Sequence, residues 1–261
     1  MKYWRTFLLG IETEFISRVN IFGWFLNGLI PVVVLVLVWF TVLGSRTSIG
    51  GFSKGDFIIY YLFTVVGWYV VGGSFGYTVG KRIKEGALSI SLLKPYNVIL
   101  AQCLQEQAWK VLSFCLSVPI MIILLYIYRD IIIIHITTQQ FFLLILALIF
   151  GGINFAFMEA LVGLSALWLV DIWPIANLKD MAVGLFGGLM APLALMPHAV
   201  QWLAQILPFK YTFYVPVSIL LSKSQDPIRD VEIQILYIVA LFFIYKIIWH
   251  RGIKKYEAIG I

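Results

Sequence analysis

The chain has 261 residues, of which 61% are apolar and 12% charged, with a formal net charge of +6 and a mean hydropathy of +0.95. A soluble domain carries roughly twice that density of charge, and disorder needs low hydrophobicity. Both are excluded, and the composition is that of an all-α polytopic membrane protein. A spanning helix takes about 20 apolar residues. Six such helices fit as one domain over residues 1–261, with no room for a second soluble domain of ordinary size. The basic balance reads as cytoplasmic loops rather than a nucleic-acid surface. Cys103 and Cys115 read as free apolar residues.

In chain order, Trp4, Phe7, Leu8, Ile11 and Phe15 recur at helical spacing, with Arg5, Glu12 and Glu14 elsewhere on the wheel. Residues 3–17 are therefore expected to form an amphipathic helix lying in the membrane interface. The alternative, a frayed start of the first span, would put those charges in hydrocarbon. The apolar run that follows is far longer than the core of a cleavable signal.

Charge-free stretches predict spans near 22–43, 57–79, 108–128, 140–165, 181–197 and 231–250. With the N-terminus inside, the inner segments hold Lys2, Arg5, Arg18, Lys81, Arg82, Lys84, Lys94, Lys110, Lys179, Lys246, Arg251, Lys254 and Lys255. The outer segments hold only Arg46, Lys54, Arg129, Lys210, Lys223 and Arg229. The positive-inside rule then places both termini in the cytoplasm.

Two connecting segments stand out. The inner loop 80–107 opens on Gly80-Lys81-Arg82-Ile83-Lys84-Glu85-Gly86, continues through Ala87-Leu88-Ser89-Ile90-Ser91-Leu92-Leu93 and closes on Lys94-Pro95. It reads as a short surface helix with Leu88, Leu92 and Leu93 on one face, or as a solvated loop held at the headgroups by its cations. An apolar face among cytoplasmic cations also suits a docking partner. The outer segment 198–230 is too apolar for a simple loop. Pro197, Pro208 and Pro216 cut it into pieces too short to span, so two short re-entrant or interfacial helices are expected. Trp202, Phe209, Tyr211, Phe213 and Tyr214 suit an interface belt.

Small residues repeat at four-residue spacing: Gly72, Gly76 and Gly80 in the second span, Gly184 and Gly188 in the fifth, and Gly152, Ala156 and Ala160 in the fourth. Such stripes let helices approach closely, within one subunit or across a dimer.

Catalytic chemistry is missing. His135, His198 and His250 lie in three segments and assemble no zinc site. Ser165 has no histidine at a matching depth. Gly76-Tyr77-Thr78-Val79-Gly80-Lys81-Arg82 is one residue short of a Walker A loop and lacks its Ser or Thr. Glu159 is the main charge expected inside a span. It is either a functional intramembrane group or a carboxylate hydrogen-bonded between helices. Asp171 falls at the boundary.

Three passages together resemble the permease subunits of type-two ABC exporters, in the branch of daunorubicin- and fluoroquinolone-export permeases. They are Glu85-Gly86-Ala87-Leu88 with Leu93-Lys94-Pro95; Gly187-Gly188, Pro192-Leu193 and Pro197 followed by Leu207-Pro208-Phe209 and Pro216; and the tail Arg251-Gly252, Tyr256-Glu257-Ala258 and Gly260. The resemblance implies a non-catalytic subunit that pairs with an identical or sibling permease in the plasma (inner) membrane of a prokaryote. Two copies of a separate ATPase would carry the ATP and magnesium, so this chain binds no cofactor of its own. It also implies that residues 81–95 couple to that ATPase, with Leu88, Leu92, Leu93 and Pro95 as the knob and Lys84, Glu85, Gly86 and Lys94 around it. The rival classes are an ion-coupled secondary transporter, which predicts inverted repeats, an intramembrane enzyme, and an assembly scaffold.

Overall fold

Helix-stop signals and apolar runs set the elements in this computed structural model, which describes residues 2–16, 18–93 and 97–256. Lys94 and Pro95, the tail residues Glu257, Ala258 and Gly260, and the side chain of Phe15 lie outside the described residues. Helix α1 is Lys2–Ile16 and α2 is Arg18–Leu43. A two-residue turn at Gly50 and Gly51, both at positive φ, closes a small hairpin of β1 (Ser48–Ile49) and β2 (Phe52–Ser53). Two adjacent positive φ angles are what a tight hairpin turn demands, and glycine supplies them without steric cost. Ser53 then starts α3 (Lys54–Val70) through a capping box with Asp56, satisfying orphan N–H groups of the first turn.

The rest of the chain follows as α4 (Phe75–Lys84), α5 (Ala87–Leu92), α6 (Val98–Ile127), α7 (Thr138–Leu164), α8 (Trp173–Phe186), α9 (His198–Ile206), α10 (Tyr214–Leu220) and α11 (Pro227–Lys255). The protein is an all-α polytopic membrane protein. Among the described residues, four helical stretches are long and apolar enough to cross a bilayer: Lys54–Lys84, Val98–Ile127, Thr138–Leu167 and Pro227–Lys255. Helix α2 adds a fifth by length, with 26 residues.

The expected spans need three corrections. The second is interrupted: α3 ends at Val70 and α4 begins at Phe75, where the adjacent Gly72 and Gly73 are weak helix formers. The third starts ten residues earlier than expected, at Val98, where Asn97 caps it by accepting the N–H of Leu100. This takes residues 98–107 out of the inner loop. The fifth is not one helix over 181–197. Its helix α8 has 14 residues, too few to cross alone, and the chain then turns at Gly188 (φ +81°). Tyr60 and Tyr61 of α3 hold that turn, donating to the carbonyls of Gly188 (2.5 Å) and Met190 (3.0 Å). The two short helices expected between 198 and 230 are present as α9 and α10.

Helix α7 is the hub. It packs on α11, α4 and α10, while α2 packs on α3, and α1 lies along α6. The amide of Gln234 (α11) ties the hub to the short-helix segment by donating to the carbonyls of Ala147 (3.0 Å) and Tyr211 (2.7 Å). Asn154 returns a bond to the carbonyl of Gln234.

Candidate functional site

The interruption of the second span leaves helix-end groups without intrahelical partners. Two carboxylates meet them. Glu106 of α6 accepts the N–H of Ser74 (2.5 Å), the hydroxyl of Ser74 (3.0 Å) and the N–H of Phe75 (3.0 Å). Glu159 of α7 accepts the N–H of Gly76 (2.8 Å). Negative charge at a helix N-terminus is favourable, and most so when partly buried. On the other side of the gap, Lys110 of α6 donates to the carbonyl of Gly72. A Cβ at Gly73 would lie 3.0 Å from Glu106 Oε2 and 3.3 Å from Lys110 Nζ, so both charged heads converge there. Lys179 of α8 completes the group by pairing with Glu159. Two carboxylates and two ammonium groups, drawn from three helices, thus surround one broken helix.

Of this tetrad, the sequence puts Glu159 inside a span and Lys110 at the inner end of one, counted with the inner cations; Lys179 falls in an inner segment and Glu106 in the inner loop. All four are buried. The signal that finds two of them is a polar stripe on α6: Gln102, Glu106, Lys110, Ser113 and Ser117 fall at helical spacing and are all buried. The carboxylate of Glu159 is both an ion-pair partner and a helix cap, joining α7, α8 and α4.

The glycine stripes separate by role. A Cβ at Gly76 would come 2.3 Å from the Glu159 carbonyl oxygen, and one at Gly80 would come 2.3 Å from Ile172 Cδ1. Opposite them, a Cβ at Gly163 would lie 2.9 Å from the Gly76 oxygen. This is a close α4–α7 crossing within one chain. Gly72 lies in the gap. Gly184 packs on Met190, and Gly188 is a turn residue beyond the end of α8.

Helix α4 leads directly into the loop singled out for docking. Gly86 (φ +73°) reverses the chain, and α5 follows. Leu88 is 2% exposed and packs with Phe75, Val79, Ile83, Val98 and Ile99. It therefore anchors α5 on α4 and α6 instead of facing outward with Leu92 and Leu93. Ile90 is exposed, Leu92 is partly so, and Leu93 is 87% exposed. Lys84 and Glu85 are exposed beside them. The end of α11 joins the same apolar cluster through Tyr245 and Tyr256.

Two cavities open elsewhere. One, of about 310 Å³, lies among α2, α3 and α6 and is lined by Pro31, Val32, Val65, Trp68, Tyr69 and Trp109, among others, with no charged side chain. The other, of about 530 Å³, is polar and sits beside α9, α10 and the start of α11, with Lys210, Lys223, Arg229 and Asp230 in its wall. Among the described residues, no group of His, Cys, Asp or Glu could hold a metal ion.

The apolar helices, one of them interrupted, and the short helices before the last span define a multi-pass membrane protein. The chain belongs to the ABC-2 transporter family: the family model described as ABC-2 family transporter protein matches residues 29–260. The match is to the family as a whole and does not single out the daunorubicin-export branch. Curated proteins give no match.

Proposed function

We propose that the chain is the permease subunit of an ATP-driven exporter, driven by a separate ATPase that docks on α5. The observation that carries this reading is the build of α5 itself. Leu88 locks it to the bundle, while Ile90, Leu92 and Leu93 face away from it. A rigidly anchored element with an exposed apolar surface and a charged rim fits a protein interface. Lys84 and Glu85 form that rim; Lys94 and Pro95, which the family resemblance adds to the coupling element, lie outside the described residues.

In this reading both termini and α5 are cytoplasmic, in the inner membrane of a prokaryote. Two ATPase copies serve two permeases, identical or sibling, and bind the ATP and magnesium. Closure of the ATPase pair pushes α5 and α1, and the two permeases rock to open a path outward. The charge-free cavity among α2, α3 and α6 supports a cargo with an apolar moiety, since a buried charge there would lack a partner.

Replacing Leu92 and Leu93 together by Asp tests the docking assignment. Permease-stimulated ATP hydrolysis is expected to disappear while membrane insertion persists. Stimulation that survives the double replacement would show that α5 is not the docking element.

A further inference from the structure

Of the two elements that the proposed ATPase would push, α1 lies directly against residues 105–108 of α6, and α5 is joined to the same stretch through α4. On one side of this turn of α6, α1 lies against the backbone. A Cβ at Gly10 would come 2.9 Å from both the Gln105 carbonyl oxygen and Ala108 Cβ, and Ala108 is fully buried. Contact this close leaves no flexible side chain to absorb a displacement. The same turn also carries Glu106, which holds the N-terminal N–H groups of α4, and Lys110, which holds the carbonyl of Gly72. Bonds with one ionised partner are the stronger class. Helix α4 has ten residues, so it is about 15 Å long, and its far end carries α5.

We propose that residues 105–110 of α6 form a joint that makes α1 and the α4–α5 element move as one body, with Glu106 as the positioning residue. A push on α5 then reaches α1 through Glu106 and the α6 backbone, and a push on α1 returns by the same route. The source of the push rests on the function proposed above, whereas the joint is a property of this chain alone.

The test uses the full chain in lipid nanodiscs, without nucleotide or ATPase, in a background carrying Cys103→Ser and Cys115→Ser. One spin-label pair, Glu12→Cys with Arg82→Cys, reports α1 against α4. A second pair, Arg82→Cys with Lys254→Cys, reports α4 against α11. All three labelled positions are exposed. Glu106→Ala is expected to broaden the first distance distribution about twofold and to leave the second at its wild-type width. An unchanged first pair overturns the proposal. Equal broadening of both pairs also overturns it, because that is what general loosening of the fold produces. If Glu106→Ala fails to fold, Glu106→Gln preserves the shape and one acceptor oxygen and is judged by the same two pairs. The ATPase is absent from these measurements, so failure of the docking assignment leaves them intact.

Discussion

The carboxylate of Glu159 pairs through one oxygen with the ammonium of Lys179 on α8, and its other oxygen accepts the N–H of Gly76 on α4. One side chain on α7 therefore holds two helices that are not neighbours in sequence. The pair is buried on both sides; removing Lys179 strands the Glu159 carboxylate, whereas removing Glu159 leaves Lys179 its exposed partner Asp180 at 2.7 Å. Lys179→Met alone is expected to cost about 3–5 kcal/mol, and Glu159→Gln alone less, because Asp180 still pairs with Lys179. The double change Glu159→Gln with Lys179→Met is expected to cost much less than the sum. Thermal unfolding of the four proteins in detergent checks this as a double-mutant cycle.

The α4–α7 crossing predicts steric intolerance at one position. Gly76→Ala places a methyl against the backbone of Glu159, which cannot yield as a side-chain end would. The expected loss is about 1–3 kcal/mol, read as a lower unfolding temperature. Gly23→Ala, where a Cβ meets nothing within 4 Å, is expected to leave the temperature unchanged or raise it.

Helix α5 has an inner and an outer face, and the two should respond differently. Leu88→Ala opens a cavity in the cluster around Phe75 and Ile83 and is expected to cost about 2–5 kcal/mol. Leu93→Ala, at an exposed site, should change stability by no more than about 0.5 kcal/mol while lowering ATPase stimulation. Paired stability and stimulation assays separate these effects.

Gln234 donates to two carbonyls from a fully buried position. Gln234→Leu removes the partner of the Tyr211 carbonyl, while the Ala147 carbonyl keeps its place in the α7 hydrogen-bond ladder, and is expected to cost about 1–3 kcal/mol. Hydrogen exchange should rise first in the segment around Tyr211, whose tie to α11 is lost.

Much of this arrangement follows from local chemistry. Pro197 and Pro208 bracket α9, whereas Pro216 sits in the first turn of α10, where its missing N–H has no helical partner to lose. Gly86 and Leu88 mark a short helix after the second span, and α5 is that helix. The break at 71–74 was not legible, because glycines four residues apart read equally well as a packing stripe on an unbroken helix. The burial of Glu106 and Lys110 was hidden for a related reason. Their compensation comes from backbone groups of that break, more than 30 residues away in the chain, and no periodicity records it. The outward face of Leu88 was a misreading of a six-residue helix, in which Ser91 shares the inner face with Leu88 and the apolar pattern alone does not choose a side.

The central claim is that transport energy comes from another polypeptide. It is tested most directly by co-expressing the chain with candidate ABC ATPases from the same genome, purifying by a tag on the permease, and measuring ATP hydrolysis and solute movement in proteoliposomes. The account predicts a complex that retains an ATPase bearing G-x-x-x-x-G-K-[ST], with solute movement that requires ATP. A chain that purifies alone and moves solute on a proton gradient without ATP would contradict it.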